Sequence, residues 1–102
     1  MREPMRCPVC RAENDEPTCR RCRADLAPLF ALEAQRALNL AEAARAAGRG
    51  DGQAVVAQAE LALRLRAGAD AQRWLALGWL IQRDFTRALA CHRRATTLSA
   101  AP

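Results

Sequence analysis

Cys7, Cys10, Cys19 and Cys22 form two Cys-x-x-Cys pairs in the first quarter of the chain, with eight residues between the pairs. Each pair can aim two sulfurs at one point, and two pairs complete a tetrahedral four-thiolate metal site. Redox Cys-x-x-Cys motifs come singly, beside a βαβ pattern, and no such pattern is visible here. Two small disulfides are the alternative. They need an oxidising compartment, and no apolar secretory stretch precedes these cysteines. The segment has few apolar residues, Val9, Leu26 and little else, so burial alone cannot offset its chain entropy. A structural metal would supply the deficit, on the order of 10 kcal/mol. Arg6, Arg11, Arg20, Arg21 and Arg23 crowd the same stretch and would offset the net charge of about −2 on a dication held by four thiolates.

The runs Cys7-Pro8-Val9-Cys10-Arg11-Ala12-Glu13-Asn14 and Cys19-Arg20-Arg21-Cys22-Arg23-Ala24-Asp25-Leu26 resemble the short N-terminal zinc ribbons of many bacterial proteins. Those ribbons read Cys-Pro-x-Cys-Gly-Ala-x-Asn, then Cys-x-x-Cys-Gly-x-x-Leu. The resemblance implies one structural zinc on Cys7, Cys10, Cys19 and Cys22. Arg11 and Arg23 depart from it, standing where the family has knuckle glycines. A turn that prefers glycine must then accept a Cβ, at ~1 kcal/mol. Iron is the alternative metal, since rubredoxin uses similar Cys-Pro-x-Cys knuckles. Rubredoxins place far more residues between their pairs and pack aromatics around the iron, whereas residues 1–26 contain no aromatic.

Alanine and leucine dominate after residue 26 and β-branched residues are rare, a bias that favours helix. The chain is expected to be mainly α: a small four-cysteine zinc ribbon over residues 1–26, then about four antiparallel helices over residues 27–102. Pro28 suits a helix start. Phe30, Ala34, Ala37, Ala41 and Ala44, with Leu38 beside them, recur at helical spacing, until Gly48-Arg49-Gly50-Asp51-Gly52 stops the first helix. The second carries Val55, Ala59, Ala62 and Leu65 on one face and ends at Gly68. Asp70 is placed to cap a third, containing Trp74, Leu77, Gly78 and Ile81. Asp84 is placed to cap a fourth, where Phe85, Ala88, Cys91, Ala95 and Leu98 line up.

Asp51, Val55, Ala62 and Leu65 recur as Asp84, Ala88, Ala95 and Leu98 at a constant offset of 33 residues, within the range of helical repeats. The second unit resembles a tetratricopeptide repeat: Trp74-x-x-Leu77-Gly78-x-x-Ile81 matches its first helix, and Asp84-Phe85-x-x-Ala88-Leu89 with Ala95 its second. Pro102 echoes the terminal proline. The resemblance is good over residues 70–100 and weak over 30–68, and a plain four-helix bundle is the alternative. It implies a core of Trp74, Leu77 and Ile81. The neighbouring face, Gln72, Leu75, Trp79 and Gln82, would then line a partner-binding groove, an apolar anchor with a polar rim. The competing expectation packs Trp79 inside its own short stack. About two repeats are fewer than a free-standing stack usually needs, which points to a partner that completes the core.

Catalysis finds little support. The chain has one histidine, His92, one serine, Ser99, and no tyrosine. Cys91 and His92 are helix neighbours and point about 100° apart, so Cys91 reads as a buried small residue and His92 as a boundary residue. A four-cysteine site leaves no open position for water. Every basic residue is arginine and the formal charge is +5, falling to about +3 with a dication on four thiolates. Two arginine sets could touch phosphates, the ribbon's and Arg83, Arg87, Arg93 and Arg94; Glu3, Glu13, Asp15, Glu16 and Asp25 interrupt the first and no aromatic accompanies it, which weakens a nucleic-acid reading. The longest apolar run, Trp74 to Ile81, is too short to span a bilayer. The expectation is therefore a non-enzymatic, cytoplasmic, zinc-binding adaptor or accessory subunit with a protein partner in a larger complex. A zinc-ribbon nucleic-acid binder is the alternative, and a rubredoxin-like electron carrier the third.

Overall fold

The structure is a computed structural model that describes residues 4–100; Pro102, the expected echo of a terminal proline, lies outside them. The chain is mainly helical and divides into two compact units between Ala34 and Gln35.

In the first unit, β1 (Met5–Arg6) pairs antiparallel with β2 (Glu13–Asn14), Met5 opposite Asn14 and Arg6 opposite Glu13. An isolated bridge joins Thr18 to Asp25. Helix α1 (Ala27–Gly48) opens with the Phe30 amide donating to the Leu26 carbonyl. Its first turns stay with the ribbon, because Leu29 and Phe30 pack against buried Leu26, Cys7 and Cys19. The boundary therefore falls inside α1 rather than at residue 26, since the ribbon has too little apolar surface of its own.

The second unit holds the rest of α1 with α2 (Gly52–Leu65), α3 (Ala69–Ile81) and α4 (Phe85–Ala100). Among the described residues no helix is long and apolar enough to cross a membrane. Links of three residues make consecutive helices antiparallel. The first and third links are built alike. After α1, Gly50 takes φ +72°, its amide donates to Ala47, and the Asp51 amide donates to Ala46. After α3, Arg83 takes φ +62°, its amide donates to Leu80, and the Asp84 amide to Trp79. Each is a Schellman ending followed by an aspartate cap: Asp51 accepts from Ala54 N and Asp84 from Arg87 N, both at 3.1 Å. The 33-residue offset relates the two links residue for residue, but Arg83 stands in the left-handed conformation that glycine holds at position 50.

Helices α2 and α3 meet through glycines. A Cβ at Gly52 would lie 2.7 Å from the Gly78 carbonyl oxygen, and one at Gly78 2.7 Å from Val56 Cγ2. This close approach buries small residues completely: Ala59, Ala62 and Ala71 have no exposed surface. Val56, Ala59, Leu75, Ala76 and Cys91 form one cluster, with Leu63, Trp74 and Trp79 against it. Ala43, Ala46 and Val55 form another, with Trp74 and Ile81 at its edge.

Several expected faces are turned. Helix α1 buries Arg36, Asn39, Ala43 and Ala46, while Ala37, Ala41 and Ala44 are exposed and Leu38 is 61 % exposed. The alanine periodicity fits two faces of this helix, and polar anchoring decides between them. Arg36 is buried, with Nε donating to the Arg66 carbonyl and its two terminal nitrogens donating to both Asp70 oxygens at 2.8 and 2.9 Å. Asp70 is consequently not the cap of α3: that position belongs to Gly68, where any Cβ would strike Arg36 and Asp70. Phe85 and Leu77 are exposed rather than core. Ala88, Cys91 and Ala95 are buried as expected.

The Arg36 guanidinium holds the Asp70 carboxyl at about 2, below its ordinary 3.8. The pair therefore stabilises the helical unit fully above about pH 4 and loses its effect as pH falls through about 2. Because the carboxylate is half exposed, the contribution is about 1–2 kcal/mol, discounted for solvent screening. Urea unfolding followed by Trp74 and Trp79 fluorescence should show this loss between about pH 5 and pH 2. In Asp70→Asn the starting stability should be lower and that part of the acid sensitivity absent.

Candidate metal centre

The two Cys-x-x-Cys segments fold as one motif repeated at an offset of 12 residues, Arg6–Glu13 onto Thr18–Asp25. In the first, the Cys7 amide donates to the Ala12 carbonyl and the Arg11 amide to the Cys7 carbonyl, at 2.9 and 2.8 Å. In the second, Cys19 donates to Ala24 and Arg23 to Cys19, both at 2.9 Å. Arg11 and Arg23 take φ of +63° and +61°, so both accept the conformation that glycine would hold with less strain. The strand pair and the Thr18–Asp25 bridge close the open ends of the two turns.

The turns bring four sulfurs together. Cys7 Sγ lies 3.5 Å from Cys22 Sγ, and Cys10 Sγ 3.5 Å from Cys19 Sγ. All four lie within 4.8 Å of one another. A tetrahedral ion with metal–sulfur bonds of ~2.3 Å needs sulfur–sulfur separations of ~3.8 Å, so the residues fit one metal ion. A disulfide needs ~2.05 Å; all five cysteines are free thiols.

Backbone and side-chain donors already favour charge on two of the sulfurs. Cys19 is pulled down to about 5, chiefly by the Cys22 amide, against burial and with help from the Arg21 amide, Cys10 and Asn14. Cys7 is lowered chiefly by the Cys10 amide, then by Val9 and Cys22, again against burial. At Cys22 the Ala24 amide pulls downward, but burial and the surrounding sulfurs outweigh it and push the thiol up to about 12. Four negative sulfurs cannot share this space unaided. A dication removes the conflict, so binding releases protons and apparent affinity falls as pH is lowered.

Asn14 completes the centre, a role the sequence alone does not single out. It is 3 % exposed. Its Nδ2 donates to Cys19 Sγ at 3.4 Å and to the Ala12 carbonyl at 3.0 Å, and its Oδ1 accepts from the Arg20 amide at 2.9 Å. One side chain thus ties the first turn to the second. A signal for it exists: Asn14 ends the run that resembles the ribbon motif.

The other expected site residues do not form one open face. Leu75 is buried in the helical core, and Trp79 is half-buried against the same cluster, with the Arg87 guanidinium 4.7 Å from its ring centroid. Gln72 is half-buried, its Oε1 without a partner, whereas Gln82 is exposed. Helix α3 lies between α2 and α4 and spends both flanks on packing. Its exposed line is instead Asp70, Arg73, Leu77 and Leu80. Burial pushes the Cys91 thiol up, and neighbouring His92 is exposed.

Comparison with protein-family models, with curated proteins and with solved structures gave no match for this chain. The chain carries a cluster of four cysteines near the N-terminus that could hold a metal ion, followed by four helices.

Cys19→Ser should abolish stoichiometric metal uptake and unfold the ribbon, with most far-ultraviolet helical ellipticity retained, because α2, α3 and α4 bury their own faces. Global loss of ellipticity would mean one shared core. Asn14→Ala should keep the ion but weaken it by roughly 10–100-fold, as loss of a ligand-supporting hydrogen bond does, measured by chelator competition.

Proposed function

We propose that the chain is a non-enzymatic zinc-binding adaptor or accessory subunit that makes protein–protein contacts within a larger complex. The observation that carries this reading is the closed set of four sulfurs, each from a cysteine and all within 4.8 Å. Four protein ligands satisfy a structural ion and leave no position for a water or substrate, as a catalytic ion requires. An all-sulfur set of this size suits zinc or iron, and the short spacing of eight residues between the two pairs favours zinc. The helical hairpins, with their matching links and glycine-mediated contact, support the resemblance to tetratricopeptide-like repeats, whose use is to bind peptides or helices.

Catalytic groups are poorly placed for an alternative. His92 is exposed and Cys91 is a buried thiol on the adjacent position, while Ser99 Oγ accepts from Arg73 at 2.6 Å. A second reading, nucleic-acid binding, draws on the exposure of Arg6, Arg11, Arg20, Arg21 and Arg23 around the cysteine centre. Exposed Glu13, Asp15, Glu16 and Asp25 stand among them and weaken a continuous phosphate track.

Elemental analysis of the purified chain should find one zinc per chain. A tagged chain should retain a stoichiometric protein partner after nuclease treatment, and should bind DNA or RNA only weakly at physiological salt. Iron in the site would replace the zinc assignment. Sub-micromolar, steeply salt-dependent nucleic-acid binding, weakened by Arg20→Ala and Arg21→Ala, would instead favour the second reading.

A further inference from the structure

The internal repeat identifies an unused half of an interface. On α2, Gly52, Val56, Ala59 and Leu63 form the face that receives α3: Gly52 and Val56 meet Gly78, and Val56, Ala59 and Leu63 pack in one cluster with Leu75 and Ala76. Thirty-three residues on, the same positions of α4 are Phe85, Leu89, His92 and Thr96. They share one helix face by their spacing. All four are exposed, Phe85 by 64 % and Leu89 by 48 %. A groove lined by Arg73, His92, Ala95, Thr96 and Ser99 runs beside them. Helix α4 thus repeats the docking position of α2 in register, with Phe85, His92 and Thr96 in place of Gly52, Ala59 and Leu63, and nothing among the described residues covers it.

Charge and bulk select the occupant. Residues 71–100 carry Arg73, Arg83, Arg87, Arg93 and Arg94 against a single acidic residue, Asp84. Asp84 is itself engaged, capping α4 and pairing with Arg87 at 3.5 Å. An acidic helix is therefore complementary to this end of the molecule. A second copy of the chain is a poor fit. Its equivalent of α3 would be α1, whose exposed Leu38, Ala41, Glu42 and Arg45 stand 33 residues before Ala71, Trp74, Leu75 and Gly78. Arg45 would then face Phe85 at the crossing where α2 and α3 use Gly52 and Gly78. That crossing leaves no room for a Cβ on either helix, so Phe85 alone already holds any helix on α4 farther out than α3 sits on α2, and an arginine opposite it would widen the gap further. A partner helix needs a small residue opposite Phe85.

We propose that the α4 face formed by Phe85, Leu89, His92 and Thr96 docks an acidic amphipathic helix of a protein partner, held farther from α4 than α3 is from α2 because Phe85 stands where the closer contact has Gly52. The proposal rests on the adaptor reading and assigns its contact surface. Apolar contact with Phe85 and Leu89 supplies affinity, and the arginines fix orientation.

The test uses the full, metal-loaded chain and a fluorescent, helix-stapled peptide. The peptide carries the packing residues of α3, Ala71, Trp74, Leu75, Gly78 and Ile81, in their native order on one face and glutamates elsewhere. Anisotropy at physiological salt should show micromolar binding, weakened at least about tenfold by Leu89→Asp or Phe85→Ser in the chain. It should weaken similarly when the glutamates become lysines or when leucine replaces the peptide's central glycine. Helical ellipticity of both chain variants should be unchanged, since the replaced side chains are exposed. Absence of saturable binding, or binding indifferent to Leu89→Asp, would overturn the proposal. So would sedimentation showing a dimer that Leu89→Asp dissociates, which would make a second copy the occupant. A Leu89→Asp chain that keeps its cellular partner as well as the wild type does would remove the α4 assignment and leave the adaptor reading standing. Lack of any protein partner for the wild-type chain would remove both.

Discussion

Convergence of four cysteine sulfurs on one point is the constraint on which the first unit depends. Its buried apolar residues beyond the cysteines reduce to Leu26, with Leu29, Phe30, Ala12 and Ala24 packed alongside. That is too little to hold one strand pair, one isolated bridge and two strained turns against chain entropy. Each knuckle places an arginine at positive φ, at a cost of about 1–2 kcal/mol. A metal held by the four sulfurs would contribute on the order of 10 kcal/mol and absorb both strains. A dication would also resolve the electrostatics, because amides draw Cys7 and Cys19 toward thiolate while burial and the surrounding sulfurs push Cys22 up. Asn14 then makes the two turns one object by bonding to both.

The second unit reaches stability by a different route. Its core is built mostly from alanine, valine and glycine, so burial per residue is small and contact distance must compensate. Gly52 and Gly78 supply that closeness between α2 and α3. Arg36 supplies direction: one buried guanidinium joins α1 to Asp70 on α3 and to the carbonyl of Arg66 in the link between α2 and α3. A buried charge with several well-placed partners fixes which face of an alanine-rich helix turns inward, a choice that apolar contacts alone leave open.

Local signals were legible in the sequence for this reason. The cysteine spacing, the helix count, Asp84 as a cap and the 33-residue offset that brings Asp51 into register with it are each carried by a few residues with a narrow physical role. The inward face of α1 is not legible, because alanines occur on several of its faces and the deciding contact, Arg36 with Asp70, spans 34 residues. Asp70 reads as a cap for the same reason: its true partner is distant. Leu75 and Trp79 read as an open groove because a single helix does not reveal how many neighbours it has. The ribbon reads as ending at residue 26 because the apolar help of Leu29 and Phe30 lies across a helix start. The 12-residue duplication of the knuckles and the role of Asn14 are present in the sequence but need the backbone to give them meaning.

Cobalt(II) titration of the metal-free chain tests the four-sulfur centre most directly. Uptake should saturate at one equivalent, with intense visible bands of a tetrahedral ion and strong thiolate-to-cobalt charge transfer, and zinc should then displace the cobalt and erase both. Weak octahedral bands, saturation at another stoichiometry, or an unchanged spectrum after Cys22→Ser would contradict a single site made by all four cysteines.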